Sequence, residues 1–150
     1  REGEEHGVLS EEERVMIHRV FELSGKRACE IMVPREKITL INRNDTLTSF
    51  FETARSSGFT RLPVYDEEKK TFSGVVNVFD VLSFRGDSTG RPLGWLARRP
   101  LFVHESTPVD DILPLMRRFR QPMCLVTSKR ENVCGLITTE DILEEIVGTA

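Results

Sequence analysis

The sequence predicts an α+β fold made of two β-α-β-β-α units, related by a pseudo-two-fold axis and preceded by an N-terminal helix. Three observations lead there. An internal repeat runs through the chain without a gap, each copy alternates short apolar strands with amphipathic helices, and a capped helix stands ahead of the first copy.

The repeat is plainest where Gly74-Val-Val-Asn-Val-Phe-Asp80-Val-Leu82 lies over Gly135-Leu-Ile-Thr-Thr-Glu-Asp141-Ile-Leu143, an offset of 135 − 74 = 61 residues. The same offset places Leu40 on Leu101, Thr46 on Thr107, Phe51 on Ile112, Val64 on Leu125 and Phe72 on Val133. A register held from Leu40 to Leu82 points to duplication.

The elements follow in order. Arg1–Leu9 is an acidic, Gly-containing tail. Ser10-Glu-Glu-Glu13 is a capping box ahead of Val15, Met16, Ile17, Val20, Phe21 and Leu23, which predicts an amphipathic helix ending near Gly25. Each copy then opens on a strand, Ile38–Ile41 or Leu101–Val103, followed by a helix. Thr46 should cap the first helix, whose apolar positions are Leu47, Phe50, Phe51 and Ala54. Thr107 should cap the second, with Pro108 at the first helical position, where a missing N–H costs nothing. Pro114 falls inside that second helix and should kink it or end it early. Strands Leu62–Tyr65 and Met123–Thr127 lead through polar turns, Asp66–Lys70 and Ser128–Asn132, into strands Phe72–Val76 and Val133–Ile137. Final helices begin near Val78 and Thr139. Arg85–Gly94 is a polar Gly/Pro linker, in which the Arg-Gly-Asp triplet reads as coincidence. The expected organisation is 1–27 tail and connector helix, 28–84 first unit, 85–94 linker and 95–150 second unit.

Composition narrows the function. Of the 150 residues, 39% are hydrophobic and 30% charged, with a formal charge of −3, which describes an ordinary soluble globular chain. The slight acidity argues against a nucleic-acid binder. The longest apolar candidate for a membrane span, Val75–Leu82, is interrupted by Asn77 and Asp80. No basic-then-apolar secretory signal is visible. Cys29, Cys124 and Cys134 form no CxxC pair and suit small buried thiols in a reducing compartment. His6, His18 and His104 lie too far apart for a metal motif, so no metal site is expected.

These residues resemble a tandem pair of CBS domains, nearest to the pair in the CorC/HlyC and CNNM group of magnesium and cobalt transport (efflux) proteins. The resemblance is carried by Glu30-Ile-Met-Val-Pro-Arg35, Phe59-Thr-Arg-Leu-Pro-Val-Tyr-Asp66 and Gly135-Leu-Ile-Thr-Thr-Glu-Asp-Ile-Leu-Glu-Glu-Ile-Val-Gly148, and extends from about Ser10 to Gly148. It implies a regulatory, non-enzymatic module. Its clefts would take ATP or AMP, with magnesium only as the counter-ion of the phosphates. It implies association into a homodimer through the helices, and a place in the cytoplasm, on the cytoplasmic side of the membrane in a membrane-anchored protein. Full-length members carry a membrane domain before the pair, a small domain after it, or both.

The resemblance also assigns a cleft. Asp141, on the first turn of its helix, would accept from both ribose hydroxyls, helped by the helix dipole, with Thr138 beside it. Ile38 and Thr39 would line the base. Phe59, Thr60, Arg61, Leu62 and Pro63 would supply backbone groups and an apolar wall, with Arg61 near the phosphates and Lys37 and Arg35 as further phosphate candidates. Spacing alone gives another reading, since Thr138-x-x-Asp141 is also a helix capping pair. The second cleft is weaker. It keeps Asn77 and Asp80, but Arg120-Gln-Pro-Met-Cys124 replaces the Thr-Arg-Leu-Pro segment.

Other constellations offer less. Arg117, Arg118, Arg120, Lys129 and Arg130 read as a solvated helix face and turn. Asp110–Asp111 and Glu144–Glu145 are adjacent acids, which do not share a helix face. Trp95 reads as a packing anchor. No nucleophile, phosphate-loop or acid–base signature appears, so two readings lead, a nucleotide-sensing module and a ligand-free structural dimerisation module, with an enzyme of unfamiliar site as the third.

Overall fold

The computed structural model describes residues 7–84, 93–130 and 132–148. Positions 1–6 of the expected tail and 85–92 of the expected linker lie outside the described residues. Helix α1 (Glu11–Ser24) begins at the Ser10 capping box: Glu13 N donates to Ser10 Oγ at 3.1 Å and Ser10 N to Glu13 Oε1 at 3.1 Å. It stops at Gly25. A single turn, α2 (Ala28–Ile31), leads into β1 (Val33–Pro34) and a 3₁₀ turn at Arg35–Lys37.

The first unit continues with β2 (Ile41–Asn42), α3 (Leu47–Ser57), β3 (Arg61–Asp66), β4 (Thr71–Asn77) and α4 (Val78–Ser83). After a 3₁₀ turn at Leu93–Leu96 come β5 (Phe102–His104), α5 (Val109–Phe119), β6 (Met123–Thr127), β7 (Val133–Thr138) and α6 (Thr139–Val147). In each unit the first strand runs parallel to the second across a helical crossover, β2 on β3 and β5 on β6. The second and third strands form an antiparallel hairpin, β3–β4 and β6–β7.

The entry segments cross over. Strand β1 lies at the start of the first unit in sequence but pairs with β7 of the second, Val33 opposite Leu136 and Pro34 opposite Gly135. Arg98 lies at the start of the second unit and forms an antiparallel bridge with Val75 of the first. The cores follow. Leu23 and Ala28 are buried with the second unit's Val103, Ile112, Val126 and Ile137. Leu93 is buried with the first unit's Phe50, Leu62, Val64 and Val76. A third cluster, Phe72, Val75, Met123, Leu125 and Leu136, joins the two sheets. The expected boundaries at 27/28 and 94/95 therefore follow the chain, while each packed unit borrows the opening residues of its neighbour.

Two repeat-equivalent glycines make the crossing possible. A Cβ on Gly74 would stand 2.6 Å from Ala97 Cβ and 2.9 Å from the Arg98 carbonyl oxygen. One on Gly135 would meet Met32 Sδ and stand 2.8 Å from the Val33 carbonyl oxygen. Each hairpin thus needs a bare backbone where the other unit's entry strand lies against it.

Several local expectations are corrected. Thr46 caps α3 through Ser49 N at 3.1 Å, but Thr107 does not cap α5. The cap position there is Pro108, held extended at ψ 144 because its neighbours bond the chain ahead of α2. Ala28 N donates to Thr107 O at 2.9 Å and Val109 N to Lys26 O at 3.0 Å. Nor does Pro114 end α5, which runs on to Phe119. The proline is exposed and the carbonyl it leaves unbonded belongs to exposed Asp110, while Ile112 and Met116 anchor the buried face on either side. The first strand begins at Ile41, since Ile38 and Leu40 pack into the cluster between the sheets. Cys29 is exposed, whereas Cys124 is buried.

Two outcomes follow. Gly74→Ala should cost about 1–3 kcal/mol by overpacking rigid neighbours. Gly25→Ala, whose Cβ would meet only the Glu22 carbonyl oxygen at 3.7 Å, should be close to neutral; urea titration of both variants compares them. Burial pushes the Cys124 thiol up to about 12. A thiol reagent at pH 8 should therefore label Cys29 in the folded chain and reach Cys124 only after denaturant is added.

Candidate functional site

The exchanged entry segments leave a crevice between the units. It is a cavity of about 300 Å³ walled by both copies. From the first come Val33, Lys37, Ile38, Thr39, Gly58, Phe59, Thr60, Arg61 and Pro63; from the second come Pro122, Met123, Leu136, Thr138, Glu140, Asp141 and Glu144. Eight of the nine residues assigned to the main cleft line it. Leu62 does not: strand alternation turns it into the first unit's core, where it is fully buried, while Arg61 and Pro63 face the crevice.

Thr138 ends β7 and is the N-cap of α6. Asp141 N donates to Thr138 Oγ1 at 3.1 Å, and Thr138 N donates to Asp141 Oδ2 at 3.1 Å. The capping reading of this pair is therefore present in the structure. The box also fixes the carboxylate at the positive end of a nine-residue helix, on the cavity wall. Lys37 and Arg61 bring positive charge to the same cavity. Glu140 and Glu144, four residues apart on α6, add two acids to the cavity wall; Glu144 thus shares the wall with Glu140 and not with its sequence neighbour Glu145.

Arg35 is placed elsewhere. Its guanidinium lies 5.0 Å from the Phe72 ring centroid and 5.4 Å from that of Tyr65, and Nη1 donates to Val133 O at 3.2 Å. It ties the first unit's hairpin to β7 and does not line the cavity. Trp95 packs edge-to-face on Phe84 with ring centroids 5.0 Å apart. Arg117, Arg118, Arg120, Lys129 and Arg130 are all exposed.

In the second cleft the equivalent acceptors are engaged internally. Asn77 Oδ1 accepts from Phe79 N at 2.8 Å. Asp80 receives a two-pronged contact from Arg98, Nε to Oδ2 at 2.6 Å and Nη2 to Oδ1 at 2.8 Å. Those hydrogen bonds, together with the charges of Arg98 and Arg61, hold the Asp80 carboxyl below the usual carboxylate range against the opposing effect of burial.

A CBS domain family model matches residues 28–87 and again residues 91–148, and the chain belongs to that family as a tandem pair. The pair is of the CNNM/CorC kind. The CBS domain of the bacterial CNNM/CorC family Mg2+ transporter superposes with a TM-score of 0.85 at 32% identity, over 99% of this chain and 91% of that one. The same domain solved in complex with ATP matches with a TM-score of 0.82 at 32% identity, over 92% of this chain and 99% of that one. Among curated relatives, the magnesium and cobalt efflux protein CorC of Escherichia coli is 33% identical over 99% of this chain and 51% of its own length. A UPF0053 protein of Mycobacterium tuberculosis is 36% identical over 97% of this chain and 34% of its own length. The chain thus spans about half and about a third of these two relatives.

The Asp80 contact has a pH signature. A carboxyl lowered by folding contributes stability that is present above its unfolded pKa of about 3.9 and is lost as pH falls through the lower folded value. For a half-exposed pair the size is about 0–1 kcal/mol. Arg98→Ala should therefore lower stability at pH 7 and match the parent chain near pH 2, as read by urea unfolding at both values.

Proposed function

We propose that the chain is a nucleotide-sensing regulatory module of a CorC-like magnesium and cobalt transport protein, binding one ATP or AMP in the crevice between its two units. The observation that carries this reading is the capped Asp141 carboxylate in a cavity that Ile38, Thr39, Phe59, Lys37 and Arg61 of the other unit also line. The ATP complex of the 32%-identical CNNM/CorC domain supports the ligand class, as does a CBS pair from Klebsiella pneumoniae with bound AMP, 30% identical with a TM-score of 0.66.

Asp141 accepts the two ribose hydroxyls. Its Oδ1 has no protein donor among the described residues, and Oδ2 keeps a second lone pair beyond the Thr138 N–H. Ile38, Thr39, Phe59 and Pro63 enclose the base, and Arg61 and Lys37 meet the phosphates. Glu140, Asp141 and Glu144 outnumber those two cations, so a polyphosphate enters with magnesium as its counter-ion. The ligand then touches residues 28–84 and 95–150 at once, and its occupancy sets the angle between the halves. That angle is what an attached transport domain would respond to. The module does no chemistry in this reading and works at the cytoplasmic side of a membrane; no described helix is itself long and apolar enough to cross one.

A second reading, structural dimerisation, is favoured by apolar side chains at repeat-equivalent positions. Leu82 and Leu143 (143 − 82 = 61) are 65% and 58% exposed on α4 and α6, and Phe79 is 61% exposed beside Leu82. Sedimentation with and without ATP separates the readings, because only sensing makes the assembly depend on ligand.

The decisive variants divide capping from binding. Asp141→Asn keeps an acceptor for Thr138 N and should leave the melting temperature close to that of the parent. It should nevertheless weaken ATP or AMP about a hundredfold, since hydrogen bonds to a charged group are worth about 3 kcal/mol together. Asp141→Ala should lose affinity and, with the cap, about 1 kcal/mol of stability. Calorimetry in which Asp141→Asn binds as tightly as the parent, or in which the parent takes no adenine nucleotide, removes the sensor.

A further inference from the structure

The duplicated halves differ at one ladder position in a way that decides how many ligands the chain can take. Val75 and Leu136 are repeat equivalents (136 − 75 = 61), and each pairs with the entry strand of the other unit. Opposite Leu136 stands Val33, a short apolar residue on the cavity wall. Opposite Val75 stands Arg98. Its backbone is fixed on both sides, Arg98 N to Val75 O at 2.8 Å and Val75 N to Arg98 O at 2.9 Å. From that base its guanidinium takes both oxygens of Asp80, the counterpart of Asp141. Gln121, in the place of Thr60, donates Nε2 to Arg99 O at 2.9 Å, so this cleft is bonded to itself at a second point.

We propose that Arg98 is a built-in stopper of the second cleft, a specificity-determining residue that occupies the carboxylate a ribose diol would otherwise use and limits each chain to one nucleotide. A planar fork with two parallel N–H donors matches a carboxylate better than a vicinal diol does, and at this place it is covalently present at all times. No ligand group competes with it on equal terms. Val33 cannot do the same to Asp141, because it carries no donor. The different engagement of Asp80 and Asp141 thus follows from which side chain each crossed entry strand delivers.

The proposal rests on the nucleotide reading above, and its test keeps the two separable. AMP is titrated calorimetrically into the parent chain, Asp141→Asn, Arg98→Val and the double variant. The side chain of Arg98 is 67% exposed, so its replacement leaves the cores intact; a melting curve checks this, and Arg98→Gln serves if the valine variant unfolds. The parent should bind one AMP per chain and Arg98→Val two. The new site should be about tenfold weaker, because Pro122 stands where Arg61 serves the first (122 − 61 = 61). The double variant should retain one site, abolished by adding Asp80→Asn. A stoichiometry that stays at one in Arg98→Val, with no binding by the double variant, overturns the stopper and leaves the nucleotide reading standing. A silent parent overturns the nucleotide reading, and the stopper falls with it only where Arg98→Val is silent as well.

Discussion

The whole arrangement depends on two short backbone contacts, Val33–Pro34 against β7 and Arg98 against Val75. Each ties the start of one unit to the hairpin of the other. Without them the halves would be two small sheets with exposed edges, each too small to bury much apolar surface alone. With them, Leu23 and Ala28 complete one core and Leu93 the other. The third cluster, Phe72 and Val75 against Met123, Leu125 and Leu136, then closes the sheets on each other. The crevice is what remains at the mouth of that closure, which explains why residues from both halves line it.

The same contacts place the charges. β7 is held between β1 and β6, so its end, Thr138, has little freedom, and α6 starts at a fixed point. The reciprocal cap then pins Asp141 against the helix terminus. Capping and ligand recognition are therefore compatible uses of one carboxylate: the cap holds one oxygen and orients the other. A helix N-terminus also lowers the cost of keeping that charge half-buried.

Much of this was legible in the sequence, for identifiable reasons. The offset of 61 needs only apolar matching and two aligned glycines. The Ser10 and Thr46 caps are local chemistry, and both hold. Thr107 looked as good a cap as Thr46 and failed because a distant segment, Lys26–Ala28, bonds across it. No local pattern contains that information. Pro114 misled for a related reason, since its effect depends on which helix face it occupies. Within the cleft, Phe59, Thr60 and Arg61 line the wall in succession, but β3 begins at Arg61, and alternation from there turns Leu62 into the core and Pro63 back to the crevice. Glu144 pairs in sequence with Glu145, but on the helix its neighbour at the cavity is Glu140, four residues before it.

The least legible feature was the different engagement of Asp80 and Asp141. By sequence the two clefts differ in the segment around Cys124, which suggests a weaker second pocket and nothing more. The structure supplies a sharper cause. Asp80 and Asp141 sit at matching positions on matching helices, yet one is met by a guanidinium at 2.6 Å and the other by a backbone N–H at 3.1 Å. The repeat alignment hides this because the entry strands lie outside its held register: four extra residues separate Val33 from Leu40 compared with Arg98 from Leu101, (40 − 33) − (101 − 98) = 4. The longer stretch contains the 3₁₀ turn Arg35–Lys37, whose last residue lines the crevice. The longer stretch next to β1 thus adds Lys37 to the first crevice, whereas Arg98 on the other entry segment is bonded to Asp80. The repeat places Asp80 and Asp141 at equivalent positions, and the difference in what meets them lies in the segments each half lends to the other.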